Sequence, residues 1–280
     1  MKILPRLLLL LLVCATGVFA HQPRMVDRNP VAVEAPEVSK GYYDELPGSP
    51  RRYLIESREE FTLYLNLLVP ASGEQPGRFS ASVYDINASS ALGTLVATLD
   101  GSHGQWERFY EPFAGDTYLK GPEFEKAVPA GNYLVEVTGN ENKGKYVLAI
   151  GKKEEWPFTE IVNALQLIPV LKRHFFNVSP VTFAASIFGG AYLAAMLVIG
   201  FGFGFLYRHI HLTAFESNLT RNIGALDRFV RLLLACGLLG AGLFTWSPFV
   251  LFFSGFLFFE AFAGWCALYA LIGKSTCPGR

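Results

Sequence analysis

Two apolar runs near the C-terminus, 229–245 and 249–272, are separated only by Trp246-Ser247-Pro248. So short a connection forces them to lie antiparallel and side by side. Each run is nearly free of charge and close to the length needed to cross a bilayer core of about 30 Å. Inside lipid every backbone N–H and C=O must be satisfied within its own segment, so both runs are expected to be helices. Ser247-Pro248 supports a helix start, a cap residue followed by proline at the first helical position. A further run, 181–207, is entered through Ser179-Pro180 and predicts another transmembrane helix. The 280-residue chain as a whole, 51% hydrophobic and 17% charged, is too apolar for an ordinary soluble enzyme and too charged to be all membrane, which points to two parts.

The two parts differ in charge. Residues 21–156 carry 14 Lys+Arg against 20 Asp+Glu, a net −6, whereas 208–280 carry 6 against 3. Residues 1–20 read as a secretory signal peptide: Lys2 and Arg6, an apolar stretch from Leu7 to Val13, then a small-residue end at Ala20. Acylation of Cys14 as a lipoprotein is the lesser alternative, because Val13 stands where a small residue is wanted. Arg208, His209, His211, Arg221, Arg228 and Arg231 gather between the first two spans, while the loop between the second and third has no charge. By the positive-inside rule that cluster is cytoplasmic, which places the C-terminus inside and the acidic part outside. An acidic, exported half argues against nucleic-acid binding.

After a Pro-rich, extended lead-in (21–41), residues 42–152 alternate like short strands separated by turns. Phe61, Leu63, Leu65 and Leu67 point one way, with Thr62, Tyr64 and Asn66 opposite. Further strands are expected at 52–57, 79–83, 94–99, 105–110, 123–128, 132–138 and 145–151. Their spacing, with no helical stretch between them, predicts an all-β, jelly-roll-like antiparallel sandwich. It has no cysteine, so its own core must hold it. In 153–178, Ile161, Val162, Leu165, Ile168 and Leu171 recur at helical spacing and predict an amphipathic helix interrupted at Pro169. It would lie either on the outer membrane surface or against the sandwich.

No nucleophile motif, His-Glu-x-x-His or phosphate-binding glycine loop is present, so no enzyme is expected. With leader cleavage after Ala20, His21 becomes the mature N-terminus, where a terminal amine and imidazole can chelate copper. His103 in a Gly-Ser-His-Gly turn would be the second ligand, but a plain N-terminal tail is the preferred reading. Asp85, Asp100, Asp116 and Glu123 are calcium candidates, without the Asp-x-Asp-x-Asp spacing, and read better as turn and surface acids. Tyr42, Tyr43, Tyr64, Tyr84, Trp106, Tyr110, Phe113 and Tyr118 are expected in packing rather than on a ligand platform.

The membrane part offers more. Glu260, in Phe-Phe-Glu-Ala-Phe, sits inside the third run, where an ionised carboxylate costs on the order of a few kcal/mol. It should be protonated, paired or in a polar cavity. A structural carboxyl at a helix–helix or dimer interface is preferred over a proton-handling site, because no second ionisable residue stands at that depth in the sequence. Gly200 and Gly204 have the spacing of a close helix contact. Asp227, Arg228 and Arg231 suggest ion pairs anchoring the second helix at the interface, with Trp246 a further interfacial anchor. Cys266 and Cys277 are too few for a metal site, and Cys277 reads as a passive thiol rather than an acylated one.

The segment 222–280 resembles the YgaP-like transmembrane domain family. The matching residues are Asn222-Ile223-Gly224, Asp227-Arg228, Arg231, a glycine-rich first helix, Cys266-Ala267-Leu268-Tyr269, Gly273 and Cys277-Pro278. Ala267 departs from the proline that members often carry after the first cysteine. The resemblance implies a self-associating two-helix inner-membrane unit and no particular reaction, and the rhodanese module of some members has no counterpart here. Pro129-Ala130-Gly131-Asn132-Tyr133, the strand after it and 144–148 are similar to the close of bacterial pre-peptidase C-terminal β-sandwiches, which implies a binding or spacer module.

The expectation is a multi-pass bacterial inner-membrane protein without cofactor, in contact with membrane lipids and a homo-oligomer through its helices. It displays a periplasmic sandwich that binds an unidentified ligand or protein. A small oligomeric transport or ion-handling subunit built around Glu260 is the alternative.

Overall fold

The structure, a computed structural model, describes residues 21–73, 79–87, 93–103, 105–214 and 220–277. The expected leader 1–20, with Cys14, lies outside the described residues, as does Pro278. The chain divides into two compact units: Met1–Leu167 with His174–Asn177, and Ile168–Arg173 with Val178–Arg280.

The first unit is two sheets around one core. The strands are β1 (Gln22–Met25), β2 (Val31–Val33), β3 (Lys40–Pro47), β4 (Arg51–Ser57), β5 (Phe61–Pro70), β6 (Phe79–Asp85), β7 (Thr94–Leu99), β8 (Glu107–Glu111), β9 (Asp116–Val128), β10 (Gly131–Gly139) and β11 (Lys143–Ile150). They are ordered β1-β3-β11-β5-β9-β8 and β2-β4-β10-β6-β7. Alternate residues of each strand point to one face. Leu63, Leu65, Leu67 and Val69 of β5 therefore meet Phe79, Ala81 and Val83 of β6 and Tyr133, Val135 and Val137 of β10 in a single buried cluster. Each of the leucine, valine and phenylalanine side chains contributes on the order of 2 kcal/mol.

Three expectations about the strands are corrected. The lead-in is not merely extended: β1 pairs in parallel with β3, and β2 with β4, so each adds an edge strand to one sheet. β3 itself was not expected as a strand. It hides because Lys40, Gly41 and Tyr42 are buried in succession, which removes the alternation over its first half. Its Tyr43 ring meets Phe175 and Phe176 edge-on, at 5.1 and 6.2 Å between centroids. β9 is also longer than 123–128. Gly121-Pro122 reads as a break, because proline cannot donate to a ladder, but such residues are tolerated at bulges. The register with β5 shifts between Asn66 and Leu68. The buried Asn66 amide then donates to both Gly121 O and Pro122 O at 3.1 Å.

The amphipathic helix is α1, Phe158–Val170, with Pro169 inside it and a π-helical turn, Leu171–Phe175, following.

The second unit holds α2 (Ile187–Ala214), α3 (Ala225–Thr245), α4 (Pro248–Ala263) and α5 (Ala267–Leu271). α2 and α3 are long and apolar enough to cross a membrane. α2 differs from the expected 181–207 at both ends. Residues Pro180–Ala185 form a separate 3-10 turn capped by Ser179. Ser186 then restarts the chain as a helix, its hydroxyl donating to Phe183 O at 2.9 Å and accepting from Gly189 N at 3.0 Å. At the far end α2 runs on through Arg208, His209 and His211, which were expected in a loop.

The third expected span, 249–272, is not one helix. α4 has 16 residues, about 24 Å at 1.5 Å per residue, which is shorter than a bilayer core. It stops at Gly264, whose φ of +67° is left-handed and favours glycine, with its N–H bonded to Glu260 O. α4 packs backbone to backbone on α2. A Cβ on Gly200 would stand 2.0 Å from Phe252 O, one on Gly255 2.3 Å from Leu197 O, and one on Gly204 2.4 Å from the Phe259 ring. The small residues therefore serve a contact within the chain.

Candidate functional site

Polar side chains in the second unit gather where α4 ends against the start of α3. The break after Ala263 leaves carbonyls without helical partners, a large cost in an apolar setting. Arg228 takes two of them, its Nε donating to Ala261 O at 2.7 Å and Nη2 to Phe262 O at 3.3 Å. Gly264 O accepts from the backbone N–H groups of Asn222 and Ile223, both at 3.1 Å. Asn222, fully buried, clasps the backbone of Cys266: Oδ1 accepts from Cys266 N at 2.7 Å and Nδ2 donates to Cys266 O at 3.0 Å. Thr276 closes the far side, with its N–H on Asn222 O at 3.0 Å and its hydroxyl accepting from Gly224 N at 2.9 Å. The C-terminal segment is thereby tied to the start of α3.

Charges complete the cluster. Arg231 bridges Asp227, at 3.0 Å, and Glu260. The second oxygen of Glu260 accepts from Ala267 N at 3.3 Å. The Arg231 guanidinium and the Lys274 ammonium each stand 5.1 Å from the centroid of the Tyr269 ring. The expectation that Glu260 has no ionisable neighbour at its depth is thus overturned. Arg231 is that neighbour, one helix away, and Glu260 stands near the end of α4 rather than midway along a long span. Asp227 pairs with Arg231, while Arg228 serves carbonyls instead of an acid. A charge pair out of water is tolerated when each partner is satisfied, and here both are.

The other expected residues are dispersed. Trp246 is not at an exposed interface. It ends α3 in a left-handed conformation, φ +54°, and is buried, its Nε1 donating to Pro180 O at 3.0 Å and its ring edge-on to Phe183 at 4.6 Å. Cys266 is buried, Cys277 is half-buried, and both are free thiols. Among the described residues no group of three His, Cys, Asp or Glu side chains could hold a metal. Asp85 bonds Asn87 N at 2.9 Å and Asp100 bonds Ser102 N at 2.8 Å, both within turns. Glu123 pairs with Lys120 at 2.8 Å, and Asp116 is buried in β9. His103 is exposed in a turn.

His21 is not in a loose tail. It precedes β1, and its Nδ1 lies 2.6 Å from Ser39 Oγ. Burial first, and Lys120 second, push its imidazole from 6.5 down to about 4. The unfolded chain therefore binds this proton at a higher pH than the folded one. The stability that neutral His21 confers is full above about pH 6.5 and is lost as pH falls toward 4. The urea midpoint of the sandwich should fall across that window, and His21→Gln should flatten the fall. An unchanged slope would refute the assignment.

Residues 219–280 match the family described as "Inner membrane protein YgaP-like, transmembrane domain". The cluster is built largely from the residues that carry that likeness. No curated protein matches the chain by sequence. Among solved structures it is similar to the Aeromonas hydrophila periplasmic inhibitor of g-type lysozyme, PliG (14% identity, 46% of this chain, 97% of that one, TM-score 0.30). Two others are the pre-peptidase C-terminal domain of a Bacillus anthracis collagenase (11%, 45% and 98%, 0.26) and the surface-associated copper-binding protein CorA of Methylomicrobium album BG8 (10%, 46% and 100%, 0.25).

Proposed function

We propose that this chain, carrying a YgaP-like transmembrane domain in residues 219–280, is a non-enzymatic bacterial inner-membrane protein that displays its β-sandwich in the periplasm as a binding module. The C-terminus is then cytoplasmic, and α4 counts as a short third membrane element. The observation that carries the reading is an open groove of about 700 Å³ on the five-stranded sheet. Leu54 and Ile86 are among its apolar lining and Glu34, Glu56 and Arg58 among its charged lining, while Val33 and Ile55 line it from the sandwich core. Leu54 and Ile86 are more than a third exposed. An apolar lining with a few charged groups is the usual form of a ligand site. β2, at the sheet edge, leaves one side of its backbone free to pair with an extended peptide.

The transport reading loses support from Glu260, since both of its oxygens are held inside the cluster. Isolated residues 21–157 should show a saturable rise in melting temperature with one of a panel of short peptides, cell-wall fragments and glycans. Leu54→Glu should abolish that rise while leaving the unliganded melting temperature near its starting value. A flat panel, or a rise that survives Leu54→Glu, would refute the module reading.

A further inference from the structure

Arg228 holds the carbonyls of α4 with Nε and Nη2, and its remaining amino group, Nη1, has no partner among the described residues. The Arg221 side chain comes to the same place. Its Cγ and Cδ, and the Cδ of Arg228, all lie 3.7 Å from the point where a Cβ on Gly264 would stand. No carboxylate partners Arg221 among the described residues, and the nearby Asp227 is already held by Arg231. Two cationic side chains whose stems converge, with no carboxylate bridging them among the described residues, favour an anion nearby.

Arg228 also lines a groove of about 220 Å³ between α3 and α4, with Ala225, Phe229, Leu232, Ala261 and Phe262. Its walls are apolar, with Phe229 and Phe262 more than half exposed. A cationic pair at an apolar trough, beside a helix long and apolar enough to cross a membrane, matches one occupant in both chemistry and shape. A soluble phosphate would leave the trough empty, and a neutral lipid would leave the arginines unpaired.

We propose that this groove seats an anionic phospholipid, its phosphate between Arg221 and Arg228 and one acyl chain along Phe229, Leu232 and Phe262. With the orientation proposed above, the lipid belongs to the cytoplasmic leaflet. Basic pockets between membrane helices on that side recognise anionic headgroups on the same physical grounds.

The full-length protein, purified in a non-ionic detergent, is titrated with phosphatidylglycerol or phosphatidylcholine and examined by native mass spectrometry. One phosphatidylglycerol should be retained in preference to phosphatidylcholine. Arg221→Gln, which removes no hydrogen bond of the cluster, should weaken that retention about five-fold. Ala225→Phe fills the trough without changing charge and should weaken it as well. Leu234→Phe, on an exposed part of α3 away from the groove, should change nothing. Equal retention of the two lipids would overturn the proposal. So would loss with Arg221→Gln but not with Ala225→Phe, which would mean attraction to basic surface alone. Melting temperatures of lipid-free variants within a degree or so of the parent show that lost retention is not lost fold.

Discussion

Replacing Asp44 with alanine is expected to destabilise the sandwich by about 3–5 kcal/mol, the cost of breaking a buried ion pair by removing one partner. Asp44 is almost wholly buried on β3. Arg51 reaches it through Nε at 2.6 Å and Nη2 at 3.0 Å. The Tyr146 hydroxyl donates to it at 2.8 Å, and the Tyr53 hydroxyl, 3.4 Å away, shares a 2.8 Å contact with Tyr146. Burial first, with Asp44 adding to it, holds the Tyr53 hydroxyl well above its ordinary pKa, and Tyr146 is held there too. Both phenols stay protonated: Tyr146 donates to the carboxylate, and Tyr53 shares its close contact with the Tyr146 hydroxyl. Alanine strands Arg51 against Arg28 O alone and leaves a void beside the two rings. Asp44→Asn keeps an acceptor and most of the volume, so it should cost clearly less. Urea unfolding of residues 21–157 measures both. A loss below about 1 kcal/mol for alanine, the value of one ordinary hydrogen bond, would show that the cluster is not a structural keystone.

That cluster shows which parts of this molecule can be read from sequence and which cannot. β6 and β10 alternate cleanly because only one of their faces meets the core, and period-two alternation is visible without a partner. Asp44 gives no such signal: its partners lie 7, 9 and 102 residues away and meet only once the two sheets close. β3 is hidden because Lys40, Gly41 and Tyr42 are buried in succession and Phe175 and Phe176, from well beyond the sandwich, pack on Tyr43, so alternation begins only at Asp44. The two long helices were legible from hydropathy, but the end of α4 was not. The run 249–272 stays apolar across Gly264, and only the set of caps from Asn222 and Arg228 makes a break tolerable there. The Arg231–Glu260 pair was countable. Arg231 lies 15 residues before Trp246 and Glu260 12 after Pro248. At 1.5 Å per residue these are about 22 and 18 Å from the turn, similar depths on antiparallel neighbours. Judging the depth of Glu260 along its own helix alone missed the cation on the other.

Arg231→Met should be the most damaging single change in the helical unit, about 3–5 kcal/mol, because it removes one cation from two carboxylates at once. Glu260 would then have to protonate or draw in water, and Asp227 would keep only the Thr276 hydroxyl, at 3.2 Å. Glu260→Gln should be far milder. The amide oxygen can still accept from Ala267 N, and Arg231 retains Asp227. In the double variant the cation and its buried anion disappear together, so its cost should fall short of the sum of the two single costs by at least about 1 kcal/mol. Unfolding of the full-length protein by SDS in mixed micelles, followed by helical circular dichroism, gives all three values under one condition. Additive costs would mean that Arg231 and Glu260 act independently, and the pairing would lose its claim to hold the α4 break in place. A mild Arg231→Met together with a severe Glu260→Gln would invert the argument, because the acid would then matter for something other than its arginine. The transport reading, set aside because both oxygens of Glu260 are occupied, would regain its central residue.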